Sequence, residues 1–271
     1  MKPLQFNNLE VRLAKTEHEI DAAQALRYRI FYEEMGAKPT TRCRALKRDI
    51  DTYDDVCDHL LVIDLEKTTD EAPYVVGTYR LLRGNIAKAT TGFYTENEFN
   101  LDHLMYAPEE ILELGRSCID GQYRRRGAMQ LLWRGISDYL SLYNIKIMLG
   151  CGSIHGTDIA EAERVLSYLH HYHLAPKSIR PRALGEHYIP MNILKRSQLD
   201  NVKAEAELPP LLKGYLRVGG YVGEGAVIDS QFNTIDVCIV VETENITGKY
   251  KNHFSRERKP AAKPVATMLA E

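Results

Sequence analysis

The chain has 271 residues, 44% hydrophobic and 27% charged, with a formal net charge of −2. It is long enough to bury a large core in one large or two small domains, and too apolar to be disordered over most of its length. A balance so close to neutral gives no global attraction to nucleic acid, so no nucleic-acid partner is expected.

The five cysteines, Cys43, Cys57, Cys118, Cys151 and Cys238, are scattered and form no CxxC pair. That pattern argues against a zinc ribbon or a thioredoxin-type site and fits a reducing, cytoplasmic compartment. The opening "MKPLQFNNLEVRLAKTEHEI" carries no apolar signal core. No run approaches the roughly 18 apolar residues of a membrane span. A soluble protein is expected, with peripheral contact at a membrane surface left open.

"LEVRLA" (9–14) alternates like a strand, and "TEHEIDAAQALRYRIFYEE" follows with Ile20, Ala23, Leu26, Ile30 and Phe31 on one helical face. Thr16 and Glu19 have the spacing of a capping box. An acid-rich loop, "RDIDTYDDVCD", precedes "HLLVID" and "YVVGTYRLL", two strands predicted to form a hairpin. "ILELGRSCI" is a fourth strand. From Gly127 the apolar residues Met129, Leu132, Trp133, Ile136, Leu140 and Tyr143 recur at helical spacing. "IKIMLGCGS" is a fifth strand and "IAEAERVLSYLHHYHL" another helix. "PPLLKGYLRVGGYVGEGAVID" reads as a short helix running into a Gly-rich strand, and "TIDVCIVVE" as the last strand. This order suits a single α/β domain with a mixed sheet over residues 1–245, not a doubly wound nucleotide fold. The tail, 246–271, is expected to be basic and flexible, with contact to anionic lipid as the alternative. It holds six Lys or Arg against one Glu between Lys249 and Lys263.

Three stretches bear on chemistry. In "ELGRSCIDGQYRRRGAM" an acid-bearing strand breaks into an Arg–Gly turn at the mouth of a helix. Free backbone N–H groups there, with three guanidinium groups, suit a phosphate; the plain alternative is a solvated basic cap. Asp51 and Asp54 of the acid-rich loop either face solvent or hold cations, whether Arg27 and Arg80 or substrate amines. In "HHYH", His170 and His173 share a helical face and His171 points elsewhere, but no third ligand stands at a convincing spacing, so no metal is expected. The glycines of "GGYVGEG" precede a strand, so bulges or close strand packing explain them better than a nucleotide loop.

Together these stretches resemble the GNAT acyltransferases, whose donor signature Gln/Arg-x-x-Gly-x-Gly/Ala falls on Arg124-x-x-Gly127-x-Met129. Met129 departs from the small residue of that signature, which fits phosphopantetheine on acyl carrier protein better than coenzyme A. The N-terminal half resembles the N-acyl homoserine lactone synthases, whose motifs fall on Arg27, Phe31, "DIDTYD", Arg80 and "ELGR". Over roughly residues 9–242, "LELGRSCID…YRRRGAMQLLWRGI", "GCGSIHGTD", "LSYLHHYHLAP" and "LPPLLKGYLRVGGYVGEGAVID…FNTIDVCIVV" resemble the bacterial ornithine N-α-acyltransferases.

That resemblance implies one GNAT-like α/β (α+β) domain with a mixed, mostly antiparallel sheet. It implies transfer of a 3-hydroxy fatty acyl group from acyl carrier protein to the α-amine of ornithine, with no cofactor. Glu113 and Arg116 would be catalytic. Arg27, Phe31, Asp51, Asp54 and Arg80 would bind the acceptor. Arg124, Arg125, Arg126, Gly127, Ser153 and His155 would hold the phosphopantetheine arm. Glu113 would take the amine proton, the alternative being a structural ion pair with Arg116 or Arg80. Glutamine or another amino acid as acceptor, an acyl-homoserine lactone synthase, and a non-enzymatic module binding acyl carrier protein or membrane are the competing functions.

Overall fold

A computed structural model of the chain describes residues 1–69, 72–125 and 127–246. The expectations placed on Arg126 and on the tail beyond Ile246 lie outside the described residues.

Strands β1 (Leu4–Phe6) and β2 (Leu9–Leu13) form an N-terminal hairpin, followed by helix α1 (Glu17–Tyr28), a π-helical turn (Arg29–Glu34) and α2 (Thr41–Leu46). Then come β3 (Asp58–Asp64), β4 (Val75–Arg83), α3 (Gly84–Ala89), a 3₁₀ turn (Tyr94–Asn97) and β5 (Phe99–Asn100). β6 (Ile111–Ile119), α4 (Ala128–Leu142), β7 (Ile147–His155) and α5 (Ile159–His173) form the centre. β8 (Arg182–Ala183), α6 (Asn201–Glu207), α7 (Pro210–Arg217), β9 (Tyr221–Asp229) and β10 (Thr234–Glu242) complete the chain. One sheet runs β1-β2-β3-β4-β6-β7-β10-β9-β8-β5. Among the described residues only the strand pairs β6–β7 and β8–β9 are parallel, so the expected mixed, mostly antiparallel sheet is what forms.

Both faces of the sheet are covered, which is why its strands read as apolar runs. Successive side chains point to opposite faces. Leu60 and Val62 of β3 therefore pack with Leu132 and Ile136 of α4, while Leu61 and Ile63 meet Ala23 and Leu26 of α1. Further along, Leu149 and Cys238 lie under Phe93 and Phe99 of the segment between β4 and β6.

Two irregularities shape the centre. The β6–β7 ladder holds only from Ile111↔Ile147 to Glu113↔Leu149, although both strands continue for six more residues. A Cβ on Gly150 would stand 2.3 Å from the Leu114 carbonyl oxygen, so only glycine fits at this fork. On its other edge β6 bulges: Thr78 faces Cys118, but Arg80 faces Gly115. The extra residue is taken up at Arg116, whose φ of 51° is left-handed and turns its side chain out of the ladder.

Departures from the sequence expectations are local. Thr16 accepts the Glu19 N–H, but the Glu19 carboxylate binds Arg12 and the Lys15 N–H, so the capping box is only half formed. The turn α2, the short helices α3 and α6, and strands β1, β5 and β8 carry too little periodicity to stand out. Two glycines of "GGYVGEG" are packing glycines as expected: a Cβ on Gly220, just before β9, or on Gly223 within it would lie 2.8 Å from a carbonyl oxygen of Tyr215 or Pro181.

Candidate active site

The fork opens a cavity of about 800 Å³. Alternation along the strands makes it two-sided. Leu114, Met148 and Ile239 point to the α4 face and join Met129, Trp133 and Tyr215 in an apolar lining. Trp133 and Tyr215 meet edge to face with centroids 5.1 Å apart, and the Tyr215 hydroxyl lies 3.2 Å from that of Tyr79. Glu113, Cys151, Ser153 and Asp236 point to the opposite face, where Arg80 and Arg116 also line the cavity. Beyond Glu113 and Leu149 the facing edges of β6 and β7 have no ladder partner, so main-chain N–H and C=O groups border the opening.

Beside the cavity three arginines and three aspartates interlock. Arg27, fully buried, donates from Nε to Asp49 Oδ2 at 2.7 Å and from Nη2 to both oxygens of Asp54 at 2.7 and 3.0 Å. Arg80 bridges Asp51 and Asp54. Arg116 donates to Asp51 at 3.0 Å and lies 3.3 Å from Asp49. Tyr32 donates to Asp49 at 2.8 Å. Such burial is tolerable because every charge meets an opposite one. Arg116 and Arg27 hold the Asp49 carboxyl down at about 2 against the effect of burial. Asp51 is likewise lowered by Arg80 and Arg116. The expected pairing of Asp51 and Asp54 with Arg27 and Arg80 therefore forms, and Asp49, not singled out in the sequence, joins it. Its signal was available, since Asp49 opens the "DIDTYD" motif. Phe31 lines the cavity nearby, edge-on to Phe232 at 5.7 Å.

Glu113 makes neither ion pair considered for it. Its Oε1 accepts the Thr95 N–H at 2.7 Å and its Oε2 the Tyr94 N–H at 3.0 Å. It thereby holds the first turn of the Tyr94–Asn97 3₁₀ helix, which lacks internal partners for those groups. Burial still raises its pKa from the ordinary carboxylate value, against the lowering effect of the Thr95 and Tyr94 hydrogen bonds. Each oxygen keeps a second lone pair, so the carboxylate can hold the turn and accept a proton.

A second acidic group lies on the same face. Atoms of Glu98, Cys151 and Asp236 stand within 4.8 Å of one another, a separation a metal ion could bridge. Burial pushes the Cys151 thiol well up, which opposes thiolate ligation.

Comparison with known proteins places this geometry. Residues 26–134 match the model of the acetyltransferase (GNAT) domain family. The chain is 42% identical over 261 residues to the L-ornithine N(alpha)-acyltransferase of Rhizobium meliloti, covering 96% of this chain and 88% of the relative. The enzyme of the same name from Brucella abortus is 41% identical over 255 residues, covering 93% and 91%. The chain belongs to the L-ornithine N(alpha)-acyltransferase family. Among solved structures, a CoA-dependent acyl-homoserine lactone synthase is 12% identical, with a TM-score of 0.48 over 88% of this chain and 83% of that one.

The remaining residues singled out in the sequence fall into two groups, those on the cavity and those away from it. Arg124 and Arg125 border the cavity, and Gly127 caps α4 with a φ of 84° that favours glycine. Arg124 is ion-paired with Glu34, both about half-exposed, and donates to the Ile119 carbonyl at 3.2 Å. Met129 occupies the wall of the cavity where the signature expects a small residue, and Ser153 also lines it. His155 does not: it sits exposed at the end of β7, opposite Thr234. In the histidine run, His171 Nε2 lies 2.8 Å from the Leu194 carbonyl oxygen, and the His173 ring packs on Tyr168 with centroids 5.2 Å apart. Among the described residues no helix is long and apolar enough to cross a membrane.

Proposed function

We propose that the protein transfers a long-chain 3-hydroxyacyl group from acyl carrier protein to the α-amine of L-ornithine. The observation that carries this reading is a cavity crossing the sheet, apolar towards α4 and α7 and charged on the other face. A fatty chain suits the first side, at about 0.8 kcal/mol per CH₂ buried. An amino acid, with two ammonium groups and a carboxylate, suits the second. The names of the relatives supply ornithine as the acceptor. The family resemblance supplies the 3-hydroxyacyl group and the carrier protein, and basic Arg124 and Arg125 at the rim are suited to an acidic carrier.

In this mechanism the thioester lies at the fork, where main-chain N–H groups freed from the ladder face the developing oxyanion. Glu113 takes a proton from the α-ammonium, directly or through one water. The amine nitrogen bonds to the carbonyl carbon, the C–S bond breaks, and the departing sulfur takes up a proton. The net products are amide, thiol and one proton. Arg116 and Arg80, fixed by the aspartates, flank the acceptor and suit its carboxylate. Phe31 walls the acceptor side.

The test is transfer from 3-hydroxypalmitoyl carrier protein to L-ornithine by the purified enzyme, followed by mass spectrometry. Nα-acyl ornithine is expected. Product with S-adenosylmethionine instead of ornithine would replace this reading with lactone synthesis.

A further inference from the structure

Asp236 is 4% exposed and lines the cavity; the Thr234 and Ser153 hydroxyls lie beside its carboxylate, yet its Oδ1 is shut off from solvent and has no hydrogen-bond partner. A buried carboxylate oxygen left without a partner is costly unless a ligand supplies one. Glu98 is 8% exposed, and the Cys151 thiol donates to its Oε2 at 3.4 Å. Among the described residues neither acid has an ion pair with Lys, Arg or His. Arg116, the cation whose field reaches both acids, makes its ion pairs with Asp49 and Asp51 and not with either of them. Asp229, also on the cavity, is occupied in accepting the N–H groups of Gln231 and Phe232.

We propose that Asp236 and Glu98, with Cys151 between them, seat the distal ammonium of a diamino acid and so select ornithine over neutral amino acids. The assignment rests on the acyl transfer proposed above. Its spacing fits. Cys151 lies two residues beyond Leu149, the register partner of Glu113, on the same face. That is about 6.6 Å along the strand. An extended ornithine separates its two nitrogens by about 6 Å, from five bonds of roughly 1.5 Å. With the α-amine at Glu113, the second amine reaches the acidic pair.

The electrostatics agree. Burial and the neighbouring Asp236 push Glu98 up to about 8 against the Cys151 thiol, and burial pushes Asp236 up to about 6 against the Thr234 and Ser153 hydroxyls; Asp229 reinforces both and Arg116 opposes both. Without ligand the pair thus retains a proton at neutral pH, and an arriving ammonium displaces it.

The enzyme is assayed for acyl transfer to L-ornithine and to L-norvaline, which lacks only the distal amine. Wild type is expected to favour ornithine by roughly 10²-fold in kcat/KM. Glu98→Gln and Asp236→Asn are each expected to shrink that ratio about tenfold or more, chiefly through the KM for ornithine. Calorimetry at pH 7 in two buffers of different ionisation enthalpy should show release of up to about one proton on binding ornithine but not norvaline. Parallel losses with both acceptors in the variants would reduce the pair to a structural role and overturn the proposal. So would a wild type that uses norvaline equally well, a result independent of whether the variants fold. Loss of the preference in chelator, restored by zinc or manganese, would make the group a metal site instead. If no amino acid is acylated, the reaction itself is wrong, while ornithine binding by calorimetry still reports on the seat.

Discussion

Glu113 holds the Tyr94–Asn97 turn with the carboxylate proposed to take the amine proton, so the substitution that removes its basicity also disturbs that structural task. Glu113→Gln sets an amide NH₂ against the Tyr94 or Thr95 N–H. We expect turnover to fall about 10²-fold and stability to fall by about 1–3 kcal/mol. In the wild type, kcat/KM should rise with pH as the carboxyl, raised by burial, loses its proton. Rate–pH profiles together with thermal melts check both parts, and an unchanged profile in the variant would remove Glu113 from proton transfer. Asp49 is a contrasting case, a buried acid whose work is holding Arg27 and Arg116. Asp49→Asn should cost about 3–5 kcal/mol by leaving buried guanidinium charge uncompensated. Because its folded pKa is depressed to about 2, its contribution is present at neutral pH and is lost as pH falls from about 4 to about 2. Denaturant melts of wild type and variant should therefore converge in acid.

At the scale of elements, the 3₁₀ turn Tyr94–Asn97 links the two acidic centres: Glu113 holds its start, and Glu98 follows its end. The sign of its pH dependence is opposite to that of Asp49. Glu98 has a folded pKa raised to about 8, so its protonated form favours the fold at low pH. That contribution is lost as pH rises through 8. The free enzyme should thus lose melting temperature between pH 5 and 9 more steeply than Glu98→Gln does, and ornithine should reduce the loss. Little of this turn was legible in the sequence, because "FYTENEF" has neither strand alternation nor helical period, and its function arises from contacts with β6 and β7. The strand carrying Glu113, the helix after Gly127 and the ninth strand were legible, since burial on two faces imposes apolar runs or 3.6-residue spacing. The Arg–Asp network was half legible: short motifs named Arg27, Arg80, Asp51 and Asp54. That Arg116 joins them depends on a left-handed bulge residue, which no pattern of apolar positions encodes. His155 shares the face of Cys151 and Ser153 but stands at the far end of β7, beyond the cavity lining.

At the scale of the molecule, the sheet separates an apolar cavity wall from a charged one, and the two meet at the fork between β6 and β7. Shortening the acyl chain by two carbons should lower kcat/KM by up to about tenfold, at about 0.8 kcal/mol per CH₂ withdrawn from the α4 side. Met129→Ala or Trp133→Ala should shift the preferred length, while ornithine KM moves little; assays with a carrier-protein series of acyl lengths check this. Arg124→Gln should raise KM for the carrier protein and flatten its salt dependence, since rim charges act through a field screened over about 8 Å at physiological ionic strength. The central claim is that this fork joins a long acyl group to the α-nitrogen of ornithine. It is tested most directly by the position of the new amide in the product formed from δ-¹⁵N-ornithine and 3-hydroxyacyl carrier protein, read by ¹⁵N NMR. The labelled nitrogen is expected to remain a free ammonium, with the acyl group on the unlabelled α-nitrogen. Acylation of the labelled nitrogen, or no amide at all, would contradict it.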